Sequence, residues 1–127
     1  MDFPKELRYS KDHEWLKIEG DIAYVGITAF AQGELGDIVF VDVNTLGEEL
    51  NFDDVFGSVE AVKTVSDLFM PITGKIIEFN NALETEPELV NNSPYEAGWI
   101  IKVEIENNSQ INDKLMTSEQ YKKHVGL

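Results

Sequence analysis

Lys63 is the residue whose type and setting stand out first. The chain has nine lysines, and none lies between Lys17 and Lys63 or between Lys63 and Lys75. Lys63 falls between two strand-like runs, Val55-Phe56-Gly57-Ser58-Val59-Glu60-Ala61-Val62 and Thr64-Val65-Ser66-Asp67-Leu68-Phe69. That spacing predicts an ammonium at the tip of a turn. Spacing alone leaves two readings, chemistry on the amine or a lysine that guards an exposed hairpin against edge pairing, and it favours the second.

The familiar catalytic constellations are missing. There is no cysteine, so disulfides, thiolate catalysis and cysteine-based zinc sites are excluded. There are two histidines, His13 and His124, and no His-Glu-x-x-His, Gly-x-Ser-x-Gly or Walker loop. Gly33 and Gly36 lie beside Glu34 and Asp37, a poor cradle for phosphate. His13, next to Trp15 in the chain but one, reads as a hydrogen-bonded structural residue before it reads as a general base. His124 is expected to face solvent, and Asp53-Asp54 to be a solvated turn.

The elements that must hold Lys63 in place read mostly as short strands. Glu14–Ile18 and Ile22–Ile27 flank Glu19-Gly20-Asp21 as a hairpin. Thr28 caps a short helix through Ala29–Gln32, with Gly36 at its left-handed end. Ile38-Val39-Phe40-Val41 is continuously β-branched or aromatic, which predicts a strand buried on both faces. Pro71-Ile72-Thr73-Gly74 is turn chemistry before a strand over Lys75–Phe79, and Trp99–Ile105 is the last strand. The tract from Asn80 to Gly98 is polar, with a one-turn helix expected from Pro87. Ser109 through Val125 lacks strand alternation, and Thr117 with Gln120 fits a capping box for a final helix. The fold class is therefore mainly β, a sandwich or flattened barrel with short helices and a C-terminal helix.

The chain has 127 residues, the size of a single domain over 1–127, and 43% of it is apolar. Ten basic residues against 24 acids give a net charge of −14. Such a surface repels phosphate backbones and anionic lipids, so nucleic-acid and membrane-surface roles are not expected. No apolar run approaches a membrane span, and the start of the chain is unlike a secretory signal or a transit peptide. The expected place is a bacterial cytoplasm.

Four ordered blocks add a resemblance to this reading. The run from Gly57 to Asn80, GSVEAVKTVSDLFMPITGKIIEFN, resembles the lipoyl-attachment region of the glycine cleavage system H protein family. Tyr9–Trp15 resembles the family's N-terminal signature. Gly26-Ile27-Thr28, Ala31-Gln32 and Leu35–Val41 follow the next block. Pro87–Asn91, Pro94-Tyr95 and Gly98-Trp99 follow the last. The resemblance covers roughly residues 7–125 in collinear order.

The resemblance implies a carrier and not an enzyme, on a sandwich of the lipoyl-carrier, hybrid-motif kind. Lipoic acid would be held as an amide on Lys63. Glycine decarboxylase would load an aminomethyl group from glycine onto the arm, and an aminomethyltransferase would pass the methylene to tetrahydrofolate. Dihydrolipoamide dehydrogenase would then reoxidise the dithiol. A lipoate ligase, or a lipoyl or octanoyl transferase, would attach the group. Glu60 and Gly47 match positions that the family uses for ligase recognition, although a surface acid and a turn glycine explain them as well. Glu14 and Asp67 match acids beside the groove where the loaded arm rests. Two positions depart from the pattern: Phe30 stands where members often carry His, and Ala61 replaces a common Ser. A monomer is expected.

Other readings remain at this point. A biotin carrier would flank its lysine with methionines, whereas the neighbours here are Val62 and Thr64. An H-like protein that relays lipoyl groups to other 2-oxoacid dehydrogenase complexes has the same sequence features. An unmodified acidic interaction module is a third alternative.

Overall fold

The structure is a computed structural model that describes residues 2–105 and 114–127. Among the described residues, nine strands form two sheets. The larger contains β1 (Arg8–Tyr9), β2 (Glu14–Glu19), β3 (Ile22–Ile27), β5 (Glu49–Leu50), β8 (Gly74–Phe79) and β9 (Ile101–Ile105), in the order β1-β2-β3-β9-β8-β5. The smaller contains β4 (Ile38–Asp42), β6 (Val55–Ala61) and β7 (Val65–Phe69), in the order β4-β6-β7. Every named pairing is antiparallel. Four short helices complete the described elements: α1 (Ala29–Leu35), α2 (Ala82–Thr85), α3 (Leu89–Asn92) and α4 (Ser118–His124). This is the mainly β, two-sheet architecture expected from the sequence.

Strand alternation explains why the sheets pack. Leu16, Val25, Ile76 and Val103 of the larger sheet share one apolar cluster with Val41, Phe56, Val59 and Leu68 of the smaller. Each side chain of this size contributes on the order of 2 kcal/mol when taken out of water. Trp15, one residue from Leu16, points to the opposite face of β2. There it joins Phe3, Leu7, Tyr9 and Tyr121 in a second cluster. Gly26 makes room for it: a Cβ on Gly26 would come within 2.7 Å of the Trp15 ring.

Local signals place several elements correctly. The β2–β3 turn uses Gly20 at φ +66°. The Thr28 side chain accepts the Ala31 N–H at the start of α1, and Gly36 follows its end at φ +82°. Thr117 and Gln120 form the full capping box of α4.

The strand expected to be buried on both faces is not. In β4 only Ile38 and Val41 are buried, while Val39 is 46% and Phe40 53% exposed. The run lies at the edge of a three-stranded sheet, with Ile38 and Val41 on the core and Val39 and Phe40 facing outward. A register shift between Ile38 and Phe40 breaks the alternation, so an apolar run that looks like a central strand serves as an edge. The two-residue strands β1 and β5 and the helix α2 had no sequence signal. The turn expected from Pro87 forms as α3, starting at Leu89. Residues 109–113 of the C-terminal tract lie outside the described residues. Among the described residues no helix is long and apolar enough to cross a membrane.

Candidate functional site

β6 and β7 pair as a hairpin, with Glu60 opposite Val65. The Ala61 N–H donates to the Thr64 carbonyl at 2.8 Å, which closes the turn. The Val62 N–H donates to the Asp37 carbonyl at 3.2 Å and ties the turn to the segment entering β4. Lys63 lies between these anchors and is exposed. Among the described residues no carboxylate lies within ion-pair distance of its ammonium. The arrangement offers a free primary amine on a backbone fixed at both sides, which suits acylation by a visiting enzyme.

The same two strands wall a groove of about 420 Å³. Val59, Ser66, Asp67 and Leu68 form one side, and Phe30, Ala31 and Leu35 of α1 form another. Glu14 and His13 also line it. Glu14 and Asp67, distant in sequence, therefore meet at one cavity. They differ in setting: Asp67 is exposed at the rim, whereas Glu14 is only 2% exposed.

Glu14 is held by three polar contacts. The Ser10 hydroxyl is 2.5 Å from Oε1, the Glu14 N–H donates to Ser10 Oγ at 3.0 Å, and the Phe69 N–H donates to Oε2 at 3.3 Å. Burial disfavours the carboxylate and pushes the Glu14 pKa up to about 8, against the opposing pull of the Ser10 and Phe69 hydrogen bonds. A neutral carboxyl at this position can ionise when a cation arrives beside it.

His13 adopts a positive φ of 72°, stabilised by its N–H bonding the Ser10 carbonyl at 3.1 Å and its carbonyl accepting the Thr28 N–H at 3.0 Å. Its Nδ1 lies 2.8 Å from the Tyr121 hydroxyl, which lies 2.8 Å from Thr28 Oγ1. Thr28 Oγ1 already accepts the Ala31 N–H, so its proton is assigned to Tyr121 and the Tyr121 proton to His13 Nδ1. Burial, reinforced by His124, lowers the His13 pKa, which agrees with a neutral ring. His13 is thus hydrogen-bonded, as expected, but it also lines the groove. His124 is exposed, with Nε2 3.1 Å from the Lys11 carbonyl. Asp53 and Asp54 are exposed turn residues, and Asp53 pairs with Lys11 at 3.0 Å.

The remaining sequence-derived positions separate. Glu60 is exposed on β6, three residues before Lys63. Gly47 is not part of this constellation. It lies in the turn between β4 and β5, beyond the end of β4 opposite to the Lys63 turn, at φ +88° with its N–H on the Ile76 carbonyl. Phe30 is half-buried, with its ring 5.0 Å from that of His13, so the departure at this position gives the groove an apolar wall. Ser10 and Tyr121 were missed. Ser10 lies within the Tyr9–Trp15 block, but Tyr121 is 108 residues from His13 and carries no local signal.

An amide-linked dithiolane arm fits these residues. The lysine that would bear it is exposed and makes no ion pair among the described residues, and the neighbouring groove combines apolar walls with a buried acid. No cluster of His, Asp and Glu among the described residues could hold a metal ion.

Comparisons with known proteins agree with one another. The pattern of the family described as glycine cleavage H-protein matches residues 7–126. The glycine cleavage system H protein of Staphylococcus haemolyticus (strain JCSC1435) is 54% identical over 126 residues, covering 99% of both chains. The crystal structure of a glycine cleavage system H protein from Mycobacterium marinum superposes with a TM-score of 0.86 at 36% identity, covering 98% of this chain and 100% of that one. With its two-sheet fold, its exposed hairpin lysine and these relatives, the chain belongs to the glycine cleavage H-protein family.

Proposed function

We propose that the protein is the lipoyl-bearing carrier of a glycine cleavage system, with lipoic acid attached as an amide to Lys63. Its partners in this reading are glycine decarboxylase, aminomethyltransferase and dihydrolipoamide dehydrogenase, together with a lipoate ligase or a lipoyl or octanoyl transferase. It works as a non-catalytic monomer in a bacterial cytoplasm. When bound, the lipoyl group supplies a disulfide that accepts the aminomethyl fragment of glycine and a dithiol that is later reoxidised.

The observation that carries the reading is the exposed Lys63 amine, without an ion-pair partner among the described residues, on a hairpin whose strands also wall the groove. The chain's own residues present, shelter and charge-match the arm. The β6–β7 hairpin holds the attachment point in a fixed geometry, so that tethering raises the arm's local concentration at each docked enzyme. Glu14 at the groove supplies a carboxyl that becomes a carboxylate when an ammonium enters, and Asp67 adds a second negative charge at the rim. Phe30 and Leu35 give the arm an apolar wall on one side. Glu60 contacts the attaching enzyme, while Gly47 enters only through the shape of its turn.

The test is intact mass and peptide mapping after treatment with a lipoate ligase, lipoate and ATP. One lipoyl group on Lys63 is expected, and none on Lys63→Arg, which keeps the charge but cannot form the amide. Modification at another lysine, or none in the parent, refutes the assignment.

A further inference from the structure

A short loop fastens the Lys63 turn to the rest of the domain. Outside its own hairpin the turn is held by the Val62 N–H, which donates to the Asp37 carbonyl at 3.2 Å. Asp37 lies between Gly36 and Ile38, and a single side chain holds both of these neighbours. Asn91 of α3 accepts the Ile38 N–H on Oδ1 at 2.9 Å and donates from Nδ2 to the Gly36 carbonyl at 2.8 Å. Nδ2 also donates to Gln32 Oε1 at 2.9 Å. Gln32 belongs to α1, and its own Nε2 donates back to the Ala29 carbonyl at 3.1 Å. The Asn91 amide thus uses its acceptor and both its donors, and the reverse orientation would set its NH2 group against the Ile38 N–H.

The geometry points to Asn91 as a positioning residue, which fixes the Lys63 turn against the α1 wall of the groove so that an arm on Lys63 enters the groove in place. The inference rests on the reading of Lys63 as the attachment residue. The amide that grips the loop carrying the turn also grips Gln32 of α1, and α1 supplies Phe30, Ala31 and Leu35 to the groove. One side chain therefore ties the tether point to the surface that receives the arm.

Leverage makes the tie matter. A lysine side chain extended by an eight-carbon acyl chain spans roughly 14 Å. A tilt of the turn by about 10° moves the far end of such an arm by roughly 2–3 Å, well beyond the ~0.5 Å within which a preorganised site holds its groups. The three partners also select the side chain. Aspartate keeps the acceptor for the Ile38 N–H, but it loses both donors and sets a carboxylate oxygen against the Gly36 carbonyl and Gln32 Oε1. Serine is too short to bridge them.

The test begins with the full, unmodified chain. Amide hydrogen exchange read by NMR compares Val62, whose N–H bonds outside the hairpin, with Ala61, whose N–H bonds to Thr64 within it. In Asn91→Asp and in Asn91→Ser, Val62 should exchange about tenfold faster than in the parent, as the loss of roughly one hydrogen bond allows, while Ala61 keeps its parental rate. Ile76→Val, a change in the core of the larger sheet, should leave the ratio of the two rates as in the parent. Equal acceleration of both amides overturns the proposal, and so does parental exchange at Val62. Failure of both Asn91 variants to fold overturns it as well, because Asn91 would then hold the fold and not the turn. A second measurement follows the arm. The chains are lipoylated to completion, charged by glycine decarboxylase and freed of enzyme; each loaded chain then consumes one water and yields formaldehyde, ammonia and the dithiol. Ammonia release should be about fivefold faster in the Asn91 variants and parental in Ile76→Val. Equal release from all chains overturns the positioning role. If the parent takes no lipoyl group, the reading of Lys63 fails and the role toward the arm fails with it, whereas the ratio of Val62 to Ala61 exchange still decides whether Asn91 holds the turn.

Discussion

Replacing Glu14 with glutamine tests the charge state of the groove directly. An ordinary glutamate ionises near 4.5, and burial moves Glu14 to about 8. Between these values the folded chain binds a proton that the unfolded chain has released. The stabilising contribution of the protonated form is complete below about pH 4.5 and is lost as pH rises through about 8. A displacement of this size corresponds to roughly 5 kcal/mol across the window. Glu14→Gln keeps the shape and an oxygen for the Phe69 N–H, but it removes the titration. Urea unfolding of parent and variant at pH 5 and pH 9 isolates the effect, because the other acids, His13 and His124 are common to both. The variant should gain on the parent by several kcal/mol from pH 5 to pH 9. At a urea slope of about 1–3 kcal/mol per molar, that is a midpoint difference of a molar or more. Parallel stability curves would refute the argument, because they would mean that Glu14 ionises in the folded chain as it does in the unfolded one.

Two further outcomes follow from charge and from the groove network. The net charge of −14 implies steered encounters with basic partner surfaces, so aminomethyl transfer under carrier-limited conditions should slow as salt rises from about 0.01 M to 0.15 M and the screening length falls from about 30 to 8 Å; a flat rate counts against steering. Tyr121→Phe removes the hydroxyl that donates to His13 Nδ1, which favours the neutral ring, so the His13 midpoint in an NMR titration should lie below 6.5 in the parent and rise in the variant. An unchanged midpoint would remove Tyr121 from the network.

What the sequence disclosed is what short-range chemistry controls. The Gly20 turn, the Thr28 cap and the Thr117–Gln120 capping box were readable because each is complete within a few residues. Lys63 was readable as a turn tip for the same reason, and the role proposed for it rests on ordered blocks and not on its spacing. The exposure of Phe40 was hidden, because an apolar run has the same periodicity at a sheet edge as in its middle. The two-residue strands β1 and β5 exist only through pairing with β2 and β8. The groove was the least legible feature. Glu14 and Asp67 carry sequence signals, but the bonds that hold the lining residues, Ser10 to Glu14 and Tyr121 to His13 and Thr28, come from both ends of the chain.

The hairpin turn and the Tyr121 network also differ in the order in which folding can complete them. The Lys63 turn is closed by the Ala61–Thr64 bond and by strands that follow one another directly, so its formation requires only the closure of a very short loop. The Tyr121 bonds join residues 93 and 108 positions apart and must wait until nearly the whole chain has been gathered. The segment bearing Lys63 is thus of low contact order, and the network beside the groove is of high contact order. Contact order alone therefore predicts that the Lys63 turn can close before the C-terminal helix docks, and that the contacts around His13 and Tyr121 close after it.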